Sequence, residues 1–121
     1  MFNRIESLIG IDNAEKVKKS KVLIVGLGGV GGSALESLVR SGVENITIVD
    51  FDVLDETNLN RQIIALNSTI GMKKTEVFYN RIIDINPNCK IRIIQIVDKP
   101  HIFLNVRFSF VMIFIILIIF L

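Results

Sequence analysis

The stretch from Lys21 to Gly32, KVLIVGLGGVGG, decides the fold. A short apolar run that ends in glycine is typical of a buried parallel strand. Gly26, Gly28 and Gly31 then form the pattern GxGxxG. Glycines at this place permit a tight turn and let a phosphate approach the backbone, and the next helix presents its positive end to that phosphate. The stretch therefore predicts a strand, a phosphate-binding loop and a helix.

The segments on both sides of this loop continue the alternation of helices and strands. Asp12, followed three residues later by Glu15, resembles a capping box and predicts a helix over about 12–19. In chain order we then predict a strand over 21–25, a helix over 33–41, a strand over 45–50, a polar connection over 51–72, a helix over 73–85 and a strand over 90–97. This order is typical of an α/β fold, here a Rossmann-like parallel sheet of about three strands with flanking helices.

A carboxylate stands at the end of the second predicted strand. Asp50 follows Gly31 by 19 positions (50 − 31), where an acidic side chain accepts hydrogen bonds from ribose hydroxyls. A nicotinamide dehydrogenase would satisfy both features. Arg61, Lys73 and Lys74 come next, and such cations can neutralise charge that develops during nucleotidyl transfer, whereas hydride transfer needs none. From the residues alone, an ATP site and a solvated basic loop both stay open.

Composition excludes several classes of protein. The net charge is +2, which gives no support for nucleic-acid binding through overall charge. The single cysteine, Cys89, rules out an intramolecular disulfide and suits a reducing compartment. We interpret it as a packed residue, and His101 has no visible partner for a metal site. The first residues lack the pattern of a secretory signal, so we expect a cytoplasmic protein.

Further motifs follow the glycine loop in a fixed order. They are DxD at 50–52, TNxNRQ at 57–62, GxxK at 71–74 and INPxC at 85–89. With the glycine loop, this series resembles the ThiF/MoeB/HesA superfamily, the bacterial relatives of ubiquitin-activating enzymes, over about residues 2–98. The stretches SGVE and RQIIAL look more like the branch that dehydrates threonylcarbamoyladenosine in tRNA than like the MoeB and ThiF branches.

This resemblance implies ATP and Mg²⁺ as cofactors and assigns roles to individual residues. Arg61, Lys74 and Arg4 would act on the reacting phosphates, with Arg4 reaching the ATP site of the partner subunit in a homodimer. Asp52 would lie near the metal or have a structural role. The full set of residues implied to contact the nucleotide is Gly26, Gly28, Gly29, Gly31, Asp50, Asp52, Asn58, Arg61 and Lys74.

The reaction implied by the resemblance is the activation of a carboxylate, which attacks the α-phosphate of Mg-ATP. The acyl substrate would be a modified tRNA in the dehydratase branch and a small sulfur-carrier protein in the MoeB and ThiF branches. Two rivals of other classes stay open, namely a NAD-binding oxidoreductase domain and an inactive, membrane-anchored remnant.

The last segment, residues 102–121, reads IFLNVRFSFVMIFIILIIFL and differs from the rest. We divide the chain into an N-terminal helical arm (1–20), an ATP-binding domain (21–100) and a hydrophobic tail (101–121). A frameshift or truncation would explain the tail, and so would a membrane segment. The uncharged residues 108–121 would span only about 21 Å as a helix, but residues 102–121 reach the length of a membrane span, with Arg107 near one end. The length of the run argues against a native core strand. Superfamily members continue with a DxxDN-like segment that helps to bind magnesium and ATP. The sequence up to residue 121 contains no such segment, so we expect this chain to be inactive alone.

Overall fold

The computed structural model describes residues 2–94 and 115–119. It confirms the predicted α/β alternation. In chain order the elements are α1 (Asn3–Ile9), α2 (Ile11–Lys19), β1 (Lys21–Val25), α3 (Gly29–Arg40), β2 (Asn45–Val49), a 3-10 turn (Glu56–Asn58), α4 (Lys74–Ile85), β3 (Lys90–Ile94) and β4 (Ile115–Ile119).

Two helices begin differently from the prediction. Helix α2 begins at Ile11 and its N-cap is Gly10, which makes no side-chain capping bond, so the capping box at Asp12 is wrong. Helix α3 begins at Gly29, four residues before the predicted start at Ser33. Glycine has a low helix propensity, which hid this first turn in the sequence, and tertiary packing overrides that propensity.

The sheet has the strand order β3-β2-β1-β4. Strands β1, β2 and β3 are parallel, and their first residues, Lys21, Asn45 and Lys90, lie in register. Their carboxyl ends therefore meet at one edge of the sheet, which we call the carboxyl edge, and their first residues form the amino edge. In open α/β sheets, ligands bind outside the carboxyl ends of the strands.

The hydrophobic tail contributes a strand. Ile115–Ile119 pairs with β1 in the antiparallel direction, with Lys21 opposite Ile119. The expectation that the tail does not form a strand of this fold is therefore wrong for these five residues. The parallel part of the sheet has three strands, as predicted, and β4 adds a fourth, antiparallel strand. The physical reason is that β1 would otherwise present unpaired backbone groups on its second side. Within the described residues, no helix is both long and apolar enough to cross a membrane.

Helices α3 and α4 cover one face of the sheet, and the core lies beneath them. At Gly32 of α3, a Cβ atom would stand 2.7 Å from Cζ of Phe78 in α4, so only glycine permits this approach. Burial of a phenylalanine side chain stabilises a fold by about 2–3 kcal/mol. The most deeply buried apolar side chains of this core are Ile24, Leu27, Leu35, Val39, Ile48, Leu54, Ile64, Phe78 and Ile82.

Candidate functional site

The glycine loop connects β1 to α3 at the carboxyl edge. Gly26 has a φ of 91°, in the left-handed region that favours glycine, and its N–H donates to the carbonyl of Val49 at 2.8 Å. Gly28 is the N-cap of α3 and makes no side-chain capping bond. The first N–H groups of a helix have no partner within the helix and carry partial positive charge. This arrangement can bind an anion such as phosphate.

Asp50 links the loop to the next strand connection. One oxygen of its carboxylate accepts a hydrogen bond from the N–H of Leu27 at 2.6 Å. The other oxygen accepts from the N–H of Asp52 at 2.7 Å. A carboxylate has about four acceptor positions, so two positions remain for hydroxyl donors of a ligand. The structure thus places Asp50 against the glycine loop, where its spacing predicted it.

Two segments far apart in sequence lie together beside Asp50. The N–H of Lys74 donates to the carbonyl of Asp52 at 3.1 Å, and Val53 forms an isolated bridge with Lys73. The side chain of Lys74 is only 6% exposed, and its Nζ lies 3.7 Å from Oδ2 of Asp52, whose side chain is 62% exposed. Lys73, by contrast, is exposed. Of the two neighbouring lysines, Lys74 therefore lies in the site, with a carboxylate beside its ammonium group.

The 3-10 turn holds Asn58 in a fixed orientation. The side chain of Asp55 accepts hydrogen bonds from both the N–H and the hydroxyl of Thr57, while Oδ1 of Asn58 accepts from the N–H of Asp55 at 3.0 Å. The hydrogen bonds from Thr57 hold the pKa of the Asp55 carboxyl below its ordinary value. Asn58 is buried, and the oxygen of its amide is thus used within the turn.

Arg61 lies over the start of helix α3. A Cβ atom built on Gly29 would meet Cγ of Arg61 at 3.6 Å, which is ordinary van der Waals contact. The Nη1 group of Arg61 donates to the carbonyl of Thr57 at 3.0 Å and to Oδ1 of Asn60 at 2.9 Å. The side chain is exposed. A guanidinium group is therefore held beside the positive end of α3, where it increases the attraction for a polyanion.

Arg4 is not part of this cluster. It lines a pocket of about 470 Å³ together with Phe2, Arg40 and Ile85, at the carboxyl ends of α3 and α4. Helix α3 has 12 residues, so this pocket lies about 18 Å from the glycine loop along the helix. Among the residues predicted for the site, Arg4 alone lies away from the carboxyl edge of its own chain.

Sequence reasoning missed an ion cluster behind the site. The carboxylate of Glu36 in α3 accepts from Nε of Arg81 in α4 at 2.5 Å and from Nε of Arg40 at 2.9 Å. The hydrogen bond from Arg81 is the main reason that the pKa of the Glu36 carboxyl is lowered. The spacing of Glu36 and Arg40 would have indicated their pairing, but nothing local indicates Arg81, which lies 45 residues away.

A second missed residue is Gln62, which is 5% exposed. Among the residues that the structure describes, Oε1 of Gln62 is the one buried polar side-chain atom that has no hydrogen-bond partner. Gln62 belongs to the TNxNRQ motif, but within that motif the resemblance assigned roles only to Asn58 and Arg61.

The INPNC motif is a structural turn. Asn86 donates through Nδ2 to Glu44 at 3.4 Å and accepts from the N–H of Asn88 at 3.1 Å. Cys89 is buried, and its thiol donates to the carbonyl of Val43 at 3.6 Å. Burial first, and the charge of Glu44 second, raise the pKa of Cys89 to about 11. A thiol that is protonated at neutral pH is a poor nucleophile, in keeping with a packed residue.

Comparison with known proteins gives a family match over most of the chain. The profile of the ThiF family matches residues 2–101. A tRNA threonylcarbamoyladenosine dehydratase of Bacillus subtilis is 49% identical over 90 residues, which are 74% of this chain and 35% of that protein. A probable adenylyltransferase/sulfurtransferase MoeZ of Mycobacterium tuberculosis is 39% identical over 92 residues, or 76% of this chain and 24% of that protein.

The fold is also similar to solved structures. The tRNA N6-threonylcarbamoyladenosine dehydratase of Escherichia coli, crystallised in complex with ATP, superposes with a TM-score of 0.77 at 35% identity, covering 87% of this chain and 44% of that one. The same enzyme in complex with AMP gives a TM-score of 0.75. The chain thus spans less than half the length of the relatives that it matches.

Proposed function

The chain belongs to the ThiF family, and from this premise we propose that its carboxyl edge binds ATP for the activation of a carboxylate. The observation that carries the proposal is the convergence of an uncapped helix end with two cationic side chains. Arg61 packs on Gly29, and Lys74 is connected to the glycine loop through Asp52 and Asp50. An ATP triphosphate needs several positive groups in one place, and this edge supplies them.

The proposed reaction uses these groups as fixed charges. A carboxylate oxygen attacks the α-phosphorus, the bond between that phosphorus and the oxygen bridging to the β-phosphate breaks, and pyrophosphate leaves with the bonding electron pair. Arg61 and Lys74 would neutralise negative charge on the phosphates, and the N–H groups of α3 would orient them. The nucleophile is already ionised, so positioning and charge neutralisation supply the acceleration.

A magnesium ion would fit this edge only with help from the nucleotide. Among the described residues, no group of three or more His, Cys, Asp or Glu side chains could hold a metal ion. Mg²⁺ usually binds through one or two carboxylates together with substrate phosphates and water. The exposed carboxylate of Asp52 meets that requirement as a single ligand, and the ion would supply further charge neutralisation.

For the acyl substrate, we propose a modified tRNA in preference to a sulfur-carrier protein. The 49% identity with the dehydratase of B. subtilis over 90 residues supports this preference, as does the TM-score of 0.77 with the dehydratase of E. coli. For Arg4 we propose contact with the ATP site of a second copy, since it lies at the far end of α3 from its own glycine loop. For the chain as a whole we propose the division into an arm, a nucleotide-binding domain and a tail that begins at residue 101.

The test is nucleotide binding by the full chain, measured by calorimetry with ATP and with NAD. We expect binding of ATP in preference to NAD, and Arg61→Ala should weaken ATP binding by about 10- to 100-fold, because hydrogen bonds to charged groups contribute about 1.5–3 kcal/mol. Lys19→Ala removes an exposed cation from α2 and serves as the control. If NAD bound more tightly than ATP, and Arg61→Ala left the nucleotide affinity unchanged, a NAD-binding oxidoreductase would replace the ATP-dependent enzyme as the proposed function.

A further inference from the structure

Three cations share one face of the sheet, two of them at its amino edge and one at the middle of β3. Lys21, Asn45 and Lys90 begin the three parallel strands in register, and Thr47 lies opposite Arg92 two residues further along. Side chains alternate between the faces of a sheet, so all five project from the same face. They line a pocket of about 470 Å³ that extends from the amino edge to the middle of the strands, away from the proposed ATP site. We call these five residues the basic rim.

The positive charge of the basic rim is not neutralised by the residues around it. Lys21, Lys90 and Arg92 are exposed, and no carboxylate lines the pocket. None of the three forms an ion pair with another residue that the structure describes. Glu44 directly precedes β2, but its carboxylate is directed to the amide of Asn86 at 3.4 Å. A polyanion would therefore meet three cations without displacing a carboxylate.

The spacing of the cations exceeds the size of one phosphate group. Neighbouring strands lie about 4.8 Å apart, so the backbones at Lys21 and Lys90, two strands apart, are separated by about 10 Å. Lys90 and Arg92 are two residues apart on one strand, which gives about 7 Å. Such an arrangement fits successive phosphates of a chain better than a single phosphate ion. Asn45 and Thr47 lie between the cations, and amide and hydroxyl side chains commonly bond phosphate and sugar oxygens. Nδ2 of Asn45 donates one hydrogen bond to the carbonyl of Lys18 at 3.3 Å, and an amide nitrogen has a second hydrogen to donate.

We propose that the basic rim binds the phosphate backbone of an RNA strand. The choice of RNA over another polyanion rests on the proposed function, whereas the anion-binding character rests on the rim alone. A strand of five residues is about 17 Å long, so an RNA held at the amino edge would lie about that distance from the carboxyl edge. A folded RNA can span this distance and present one nucleotide to the proposed ATP site.

The experiment compares two triple variants of the full chain. One carries Lys21→Gln, Lys90→Gln and Arg92→Gln, and the control carries Lys16→Gln, Lys18→Gln and Lys19→Gln, three exposed lysines of α2 outside the rim pocket. The probe is an unmodified tRNA transcript, followed by fluorescence anisotropy between 50 and 200 mM salt. The rim variant should bind at least about tenfold more weakly, and its salt slope should decrease by about 2, because each contact with single-stranded phosphate contributes about 0.7. The control should change less than about threefold.

Three outcomes would overturn the proposal. They are an equal loss in both variants, undetectable binding of the tRNA by the unmodified chain, and equally tight binding of polyglutamate, which would indicate an acidic protein partner. Circular dichroism of both variants checks that they are folded. ATP affinity, measured in parallel, separates this inference from the proposed function. If the chain binds ATP but its RNA binding does not depend on the rim, only the proposal for the basic rim is overturned. If RNA binding depends on the rim but the chain does not bind ATP, the proposed function is overturned.

Discussion

Two motifs at opposite edges of the sheet, the turn over 85–89 and the glycine loop, use polar residues in opposite ways. At the amino edge, the turn before β3 satisfies its own polar groups, since Asn86 bonds both Glu44 and Asn88 and the thiol of Cys89 bonds the carbonyl of Val43. At the carboxyl edge, helix α3 begins without a side-chain cap and Arg61 remains exposed beside it. A motif shared with the family can therefore serve folding or binding, and its hydrogen bonds distinguish the two roles.

The strongest check on this comparison concerns Cys89 at the amino edge. Its pKa of about 11, against an ordinary value of 9.0, lowers the thiolate population at pH 8 by about 100-fold. We expect a disulfide reagent to modify the folded chain at least about 100-fold more slowly than the unfolded chain. Labelling rates with and without denaturant measure this. Rates within tenfold of each other would mean that this turn is open, and the contrast between the edges would fail.

The second prediction concerns the carboxyl edge, where Lys74 is buried and Lys73 is exposed. Lys74→Met keeps the apolar stem but removes the charge, and it should weaken ATP binding by about 30-fold, or about 2 kcal/mol. The matched variant Lys73→Met should change the affinity by less than about threefold. Calorimetry with ATP measures both variants. Equal effects would show that charge near the helix matters, but not the position of Lys74.

The third prediction tests the packing that holds the glycine loop in place. Gly32→Ala would bring a Cβ atom to 2.7 Å from the ring of Phe78, whereas Gly29→Ala would make only ordinary contact with Arg61 at 3.6 Å. Both changes replace glycine by alanine within α3, and alanine has the higher helix propensity. The free energy of unfolding should therefore be lower for Gly32→Ala by about 1–3 kcal/mol, the usual range for overpacking. Urea denaturation compares the two variants, and equal stabilities would contradict the close contact of α3 with α4.

The smallest expected effect lies behind the site, in the ion cluster of Glu36 with Arg81 and Arg40. The pKa of Glu36 is lowered below 4.5 in the folded chain. The contribution of Glu36 to the free energy of unfolding is thus complete above a pH of about 4.5, and it is lost as the pH falls through the folded-state pKa of this carboxyl. Glu36→Gln should reduce the free energy of unfolding at pH 7 by about 1 kcal/mol and should make stability less sensitive to acid.

Denaturation of Glu36→Gln at pH 7 and at pH 3 measures both effects. Glu76→Gln, which changes an exposed carboxylate of α4, is the control. If Glu36→Gln and the unmodified chain lost the same free energy of unfolding between pH 7 and pH 3, Glu36 would not link the helices energetically.

Local sequence patterns were sufficient for much of this fold. The strand over 21–25 and the glycine loop were predictable because strand hydrophobicity and glycine turns depend on neighbouring residues. The position of Asp50 followed from the same local pattern. The preference for Lys74 over Lys73 came only from the resemblance and stays a prediction. The start of α3 was not predictable, since glycines form a first helical turn only when packing and the loop require it.

Other features depend on contacts between distant residues, and only the tertiary structure decided them. Arg81 meets Glu36 because α3 and α4 pack side by side, and β4 takes its place because β1 has a second side to pair. The basic rim is the clearest case. A net charge of +2 gave no sign of it, since net charge averages over the chain, whereas parallel register brings Lys21, Lys90 and Arg92 to one face of the sheet.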